Sequence, residues 1–203
     1  RDKRLRVSVW ITWDDFSYVI DCGPDFRQQM LTSNCQKVDA ILFTHEHADH
    51  LDAKAIDVLT KENTRLILNP SSREILGKGE EIRNGERLKL TDAITLDAVP
   101  AHNTTPGREQ YHPRRRDNGY ILTIDGLRIY IAGDTEEIPE MSELKKIGIA
   151  FLPVNQPYTM TVAQAVRAAK MFSPKVLYPY HFGETDVKPI QEQLIDVRIR
   201  KME

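Results

Sequence analysis

Apolar and polar positions recur along this chain at two different periods, and each change of period marks an element. Residues 7–12 and 16–20 are β-branched and aromatic runs separated by Trp13-Asp14-Asp15, the pattern of a hairpin. Cys22-Gly23-Pro24 stops that sheet, and residues 25–31 read as a short helix with Pro24 near its start, where a missing N–H costs nothing. The unbroken apolar run 40–44 predicts a buried strand, the spacing of Ala53, Ile56 and Leu59 predicts a helix over 52–60, and 65–68 reads as another strand. Residues 70–76 suit a helix closed by Gly77, and 87–90 and 94–99 suit two further strands.

From 100 to 118 no period is visible, and a loop that long inside a domain is more often functional than idle. Strands at 120–124 and 127–131, joined by Asp125-Gly126, then have the chemistry of a tight hairpin, which Gly133-Asp134-Thr135 ends. Beyond it the pattern alternates: strand 149–152, helix 162–172, strand 175–178, helix 187–195 and strand 197–199. Hairpins early and strand–helix alternation late predict an α/β protein with sheets covered by helices.

At 203 residues the chain suits one domain over 1–203. Its 29% charged and 40% hydrophobic residues are ordinary for a folded protein, and a formal net charge of -2 offers no basic field for nucleic acid or an acidic membrane. No apolar stretch approaches the roughly 18 residues of a membrane span, and Arg1-Asp2-Lys3-Arg4 is not followed by a signal-type apolar core, so a cytoplasmic protein is expected. Cys22 and Cys35 are too few for a disulfide scaffold and read as small packed residues.

The chemistry concentrates in His45-Glu46-His47-Ala48-Asp49-His50, three imidazoles and two carboxylates directly after the strand at 40–44. Imidazole suits zinc and other first-row divalent metals, and carboxylate oxygens help hold a second or harder ion such as manganese. Further donors also open loops after strands: His102, Asp134 and His181. Loops leaving one end of packed sheets converge, so these side chains can meet. Glu46 lacks the His-at-i-and-i+4 frame of a protease base and reads as a supporting or surface residue.

With those residues in hand the chain resembles the metallo-β-lactamase superfamily, whose mark is His-x-His-x-Asp-His after a strand, then a distant His, an Asp after a later strand and a final His. The resemblance implies a four-layer αββα sandwich with two metal ions at one edge. His45, His47 and His102 would hold the first ion, Asp49, His50 and His181 the second, and Asp134 would bridge both. Residues 3–50, with Ile20-Asp21-Cys22-Gly23-Pro24-Asp25-Phe26-Arg27, look like the branch that hydrolyses cyclic phosphodiesters such as phosphoribosyl cyclic phosphate. From Leu51 onward, Gly133-Asp134-Thr135-Glu136, Asn155-Gln156-Pro157-Tyr158 and Tyr180-His181-Phe182-Gly183 look like hydrolases related to ascorbate-phosphate lactonases, the pattern a splice of two relatives would give. The phosphodiesterase branch usually carries an additional first strand upstream of the position of Arg1, and without it one sheet would be expected to be short of an edge strand.

Two divalent ions, zinc ahead of manganese, would lower the pKa of a bridging water and clamp the oxygens of the transition state, so the nucleophile would be a metal-bridging hydroxide oriented by Asp49 or Asp134. His102, nearest a strand end, is placed ahead of His112 as the remaining ligand. The imidazole not used there, His112 on this choice, would protonate the leaving oxygen. Arg108, Arg114, Arg115 and Arg116 would form a cationic rim for a phosphate or carboxylate, blunted by Asp117, and Asn155 and Tyr158 would wall the pocket before a helix capped by Thr161. The expected function is therefore hydrolysis of a phosphodiester or lactone in a small anionic substrate. The alternative is a metal-binding chain of spliced or truncated origin with little turnover. Nucleic acid and membrane partners are not expected, and the sequence does not specify the oligomeric state.

Overall fold

Strand β1 (Val9–Trp13) returns through a two-residue turn at Asp14 and Asp15 into β2 (Phe16–Ile20), with Trp13 opposite Phe16 and Asp14 at φ 49°. The computed structural model describes residues 5–194 and 196–200. They fall into two compact units that meet in sequence between Ile82 and Arg83.

The first unit continues with β3 (Ala40–Phe43), β4 (Arg65–Leu68) and β5 (Glu80–Glu81), in the order β1-β2-β3-β4-β5, parallel after the first hairpin. The parallel steps carry helices α1 (Phe26–Thr32), α2 (Ala53–Leu59) and α3 (Pro70–Leu76). Asp52 and Asn69 start α2 and α3 by accepting the N–H of Ala55 and Ser72, and Gly77 at φ 71° ends α3. Val19, Ile41, Phe43, Leu66 and Leu68 share one core with Phe26 and Ile56 from the helices. All four residues of β3 are buried, as its unbroken apolar run requires of a strand covered on both faces. Each such side chain stabilises the fold by about 1.5–3 kcal/mol on transfer from water.

In the second unit the order is β12-β11-β10-β9-β8-β7-β6. Strands β6 (Arg87–Lys89), β7 (Ile94–Ala101), β8 (Asp117–Ile124) and β9 (Leu127–Ile131) are antiparallel neighbours, whereas β10 (Ile147–Pro153), β11 (Val176–Tyr180) and β12 (Arg198–Ile199) add in parallel. Pro179 lies inside β11, beyond the two residues that pair with β12, so its missing N–H breaks no ladder there. Helix α4 (Val162–Phe172) sets Ala165, Val166, Ala169 and Phe172 against Tyr130, Leu152 and Leu177, and a 3₁₀ turn (Pro139–Glu143) and α5 (Lys188–Gln193) complete that core.

One mixed sheet with its own helices in each unit gives the α/β class and the layer content of an αββα arrangement. Strand β5 and the 3₁₀ turn are additions to the sequence reading, and β8 begins three residues before the hairpin pattern does. Residues 1–4 and Ile195, where the last helix was expected to end, lie outside the described residues. No helix among the described residues is long and apolar enough to cross a membrane.

Candidate metal centre

The loop after β3 is fastened from beneath by the segment after β2. The N–H of Cys22 donates to His50 O at 2.7 Å and that of Asp52 to Cys22 O at 2.8 Å, closing a bridge between Cys22 and Leu51. Gly23 is required for this approach, because a Cβ there would stand 2.1 Å from the carbonyl oxygen of Asp49. Buried this way, the Cys22 thiol has its pKa pushed up by desolvation and by Asp52 and Asp21, which leaves it an inert packed residue.

Within the loop the imidazoles of His45 and His47 meet edge to face with centroids 4.6 Å apart, and those of His45 and His50 lie 4.1 Å apart. His45 and His50 are fully buried, while the Asp49 side chain is 41% exposed and its Oδ2 lies 3.6 Å from His50 Nε2. Asp21, which sequence reasoning did not single out as functional, organises this group. Its carboxylate accepts the Thr44 N–H at 2.8 Å, the Thr44 hydroxyl at 2.9 Å and His50 Nδ1–H at 2.8 Å. The Thr44 hydroxyl has a single proton and gives it to Asp21, so at 2.9 Å it accepts from His45 Nδ1–H. Asp21 thereby sets the tautomer of both rings, each with Nε2 as the atom a metal could take. It does so from φ 63°, a backbone region that non-glycine residues rarely occupy. Glu46 accepts a hydrogen bond from Ser71 Oγ at 2.6 Å, tying the loop to the start of α3 in the supporting role expected of it.

In the second unit, Asp134 follows β9 and is nearly buried, with one oxygen 2.8 Å from His181 Nδ1 and the other 3.6 Å from His112 Nε2. His112 donates from Nδ1 to Asp117 at 2.9 Å, and Asp117 is fully buried and also held by Arg116. The structure thus brings His112 to Asp134 and His181, where the sequence reading put His102 ahead. The physical reason is backbone routing. His102 O accepts from Glu136 N at 3.0 Å and its N–H donates to Thr135 Oγ1, while Asn103 N–H donates to His112 O at 2.9 Å and folds the loop back on itself. The His102 ring is buried, with Nδ1 unpartnered among the described residues, and it feels Glu140 and Arg114. Burial lowers its pKa from the ordinary histidine value, Glu140 opposing and Arg114 adding to the shift.

The expected cationic rim is largely neutralised within the unit. Arg114 donates to Glu140 at 2.8 Å, Arg116 to Asp117, and Arg108 to Gln156 at 2.7 Å with Glu136 at 3.5 Å. Glu136 is a buried carboxylate whose pKa burial would raise, but hydrogen bonds from Thr104 and Thr105 outweigh that and hold it below the usual range. Asn155 closes a turn onto Thr159 and lies beside Gly183, two residues after His181. Tyr158 is 45% exposed, with its ring edge to face with Tyr111 at 5.0 Å. Asn103 links the two loops, donating from Nδ2 to Tyr158 O at 2.8 Å.

The donor set fits divalent cations in kind: neutral imidazoles with Nδ1 held by oxygen acceptors, and carboxylates with an oxygen 3.6 Å from an imidazole Nε2 in each unit. Comparison with known proteins agrees. A family described as the beta-lactamase superfamily domain matches residues 17–182. A UPF0173 metal-dependent hydrolase of Archaeoglobus fulgidus is 32% identical over 156 residues, 72% of this chain and 67% of that protein. Among solved structures, a protein provisionally named a metal-dependent hydrolase from Parabacteroides distasonis is 52% identical with a TM-score of 0.91, over 97% of this chain and 89% of that one. Igni18, a metallo hydrolase from Ignicoccus hospitalis, shares the fold with a TM-score of 0.80 at 22% identity, over 98% of this chain and 92% of that one.

Proposed function

The chain belongs to the beta-lactamase superfamily domain family, as a metal-dependent hydrolase, and from that premise we propose that its two groups of ligands hold two divalent ions and hydrolyse a small anionic ester, a phosphodiester or a lactone. His45, His47 and His112 would bind the first ion, Asp49, His50 and His181 the second, with Asp134 shared. The observation that supports this reading is the use of Nδ1: in His45, His50 and His112 it donates to Thr44, Asp21 and Asp117, which makes Nε2 the ring atom a metal would take. An imidazole-rich set favours zinc, with manganese second.

Bound there, the ions would activate water and polarise the ester, which is why no serine or cysteine nucleophile is needed. The chain's own groups supply position and protons. Asp21 and Asp117 keep three rings in one tautomer, so that no reorientation is needed when substrate arrives. Asp49, 41% exposed on its side chain, is the carboxylate able to take a proton from attacking water. Arg108, 30% exposed and bonded to Gln156 with Glu136 at 3.5 Å, keeps guanidinium donors for an anionic substrate, with Asn155 and Tyr158 in the turn that carries Gln156, whereas Arg114 is committed to Glu140.

Elemental analysis of purified protein, paired with a panel of bis-aryl phosphodiester, phosphomonoester and lactone substrates, tests this. Two ions per chain are expected, with hydrolysis lost in Asp134→Asn. His112→Ala should lose metal and His102→Ala should keep it. The opposite result for the two histidines would overturn the ligand assignment, and absence of turnover on every ester in the metal-loaded protein would overturn the proposed reaction.

A further inference from the structure

Helix α4 and the 3₁₀ turn cover only part of one face of the second unit's sheet, and the remainder is a cleft of about 320 Å³. Its floor follows from register. Asp97, Ile121 and Tyr130 stand in one row across β7, β8 and β9, and Arg128 stands opposite Thr123 in the next row. Ile138, Met141 and Leu144 of the 3₁₀ segment form an apolar wall, on which Glu140 and Glu143 also sit, and Gly85 and Glu86 form the opposite wall. That volume suits a small ligand.

Two polar atoms in the cleft lack partners among the described residues. Arg128 Nε is buried without a hydrogen bond, and so is Glu140 Oε2, whose other oxygen accepts from Arg114. A buried guanidinium N–H without an acceptor is costly, and the five-donor fork of arginine matches a carboxylate. An anion alone would meet Arg128 but also the carboxylates of Glu86, Asp97, Glu140 and Glu143. A cation alone would meet Arg128 as a like charge. Asp97 is engaged by Arg87 and Glu140 Oε1 by Arg114, so the buried carboxylate oxygen left for a ligand donor is Glu140 Oε2.

We propose that this cleft binds a small zwitterion with an apolar side chain, of the class of a free aliphatic or aromatic α-amino acid. Its carboxylate would lie on Arg128, its ammonium on Glu140 Oε2, and its side chain against the half-buried Val99 and Pro100. The cleft contains none of the candidate metal ligands, so its occupancy is separable from hydrolysis.

Calorimetry on the metal-loaded full chain with L-leucine, isovalerate and isoamylamine tests the proposal, the latter two carrying one charge each. Saturable binding of leucine with a Kd on the order of 1 mM is expected, with each analogue weaker by about tenfold or more. Arg128→Gln and Glu140→Gln should each weaken leucine by about tenfold, a loss of one charge-assisted pair, while metal content and thermal midpoint stay those of the parent. Arg128→Lys, which keeps the charge and removes the buried Nε–H, should bind at an intermediate level. No saturable binding of leucine, methionine or phenylalanine at roughly 20 mM, well above the expected Kd, would overturn the proposal. Equal binding of the single-charge analogues, or leucine binding unaltered in a folded Arg128→Gln variant, would do the same.

Discussion

At the scale of single residues, the candidate centre depends as much on the groups behind the imidazoles as on the imidazoles. Asp21 holds His50 directly and His45 through Thr44, so Asp21→Ala releases two rings at once. A 10–100-fold loss of metal affinity is expected, the range typical of such outer partners, read by competition with a chromophoric chelator. Gly23→Ala should act on the same loop from the backbone, since the new Cβ would collide with the Asp49 carbonyl and the strand-to-loop bridge must open. A destabilisation of about 1–3 kcal/mol in urea is expected, with weaker metal binding alongside. His102 supplies a pH signature. Burial depresses its folded pKa, so over the interval below the unfolded value of about 6.5 the unfolded chain holds more protons than the folded one. Stability from neutral His102 is therefore present above that value and lost as pH falls through it. In chelator-treated protein, His102→Asn should flatten the fall in thermal midpoint as pH drops below about 6.5. An unchanged slope would mean the ring is not held neutral by its surroundings.

At the scale of elements, sequence and structure agree best where a cap and a period coincide. Residues 65–68, 70–76 and 162–172 were readable to the residue, because Asn69, Gly77 and Thr161 fix ends that hydrophobic spacing alone leaves loose. In α4 the box is complete: Thr161 Oγ1 accepts from Gln164 N–H at 3.1 Å and Gln164 Oε1 accepts from Thr161 N–H at 2.8 Å. Thr161→Ala should cost about 1 kcal/mol by chemical denaturation with activity per metal-loaded molecule unchanged. The elements missed had no periodic signal. Glu80–Glu81 is two charged residues that pair with β4 by backbone and by the Arg65–Glu80 ion pair, and the start of β8, Asp117-Asn118-Gly119, carries polar and small residues because Asp117 serves His112. The structure sets His112 rather than His102 beside Asp134 for a related cause. Nearness to a strand end is a fair guide to where a backbone lies, but the Asn103–His112 hydrogen bond that returns the loop toward Asp134 leaves no mark on hydrophobic spacing. Asp21 and Asp117 were not read as supports of the imidazoles because an aspartate near a strand end has many roles, and only its partner distinguishes them.

At the scale of the whole molecule, the loops that carry the candidate ligands were legible because each follows a strand, while their supporting carboxylates were not. If the ions are shared as proposed, the two units acquire a common source of stability that neither sequence pattern nor separate cores supply. Ligand present at about a thousand times its Kd stabilises the state that binds it by about 4 kcal/mol. That energy should appear in both units as slower amide exchange. The sensitive amides in the first are Cys22, Leu51 and Asp52, whose hydrogen bonds to His50, His47 and Cys22 hold the loop, and in the second Asn103 and Glu136, which hold the segment around His102 and His112. Chelation should speed exchange at all of them. The decisive arm is Asp134→Ala, a change confined to the second unit. With shared ions it should speed exchange at Leu51 and Asp52 toward the rate of chelated protein, because the first unit loses stabilisation it does not generate alone. Exchange at those amides held at the parent rate, with metal still bound by residues 45–50, would mean that each unit keeps its own ion and that Asp134 bridges nothing.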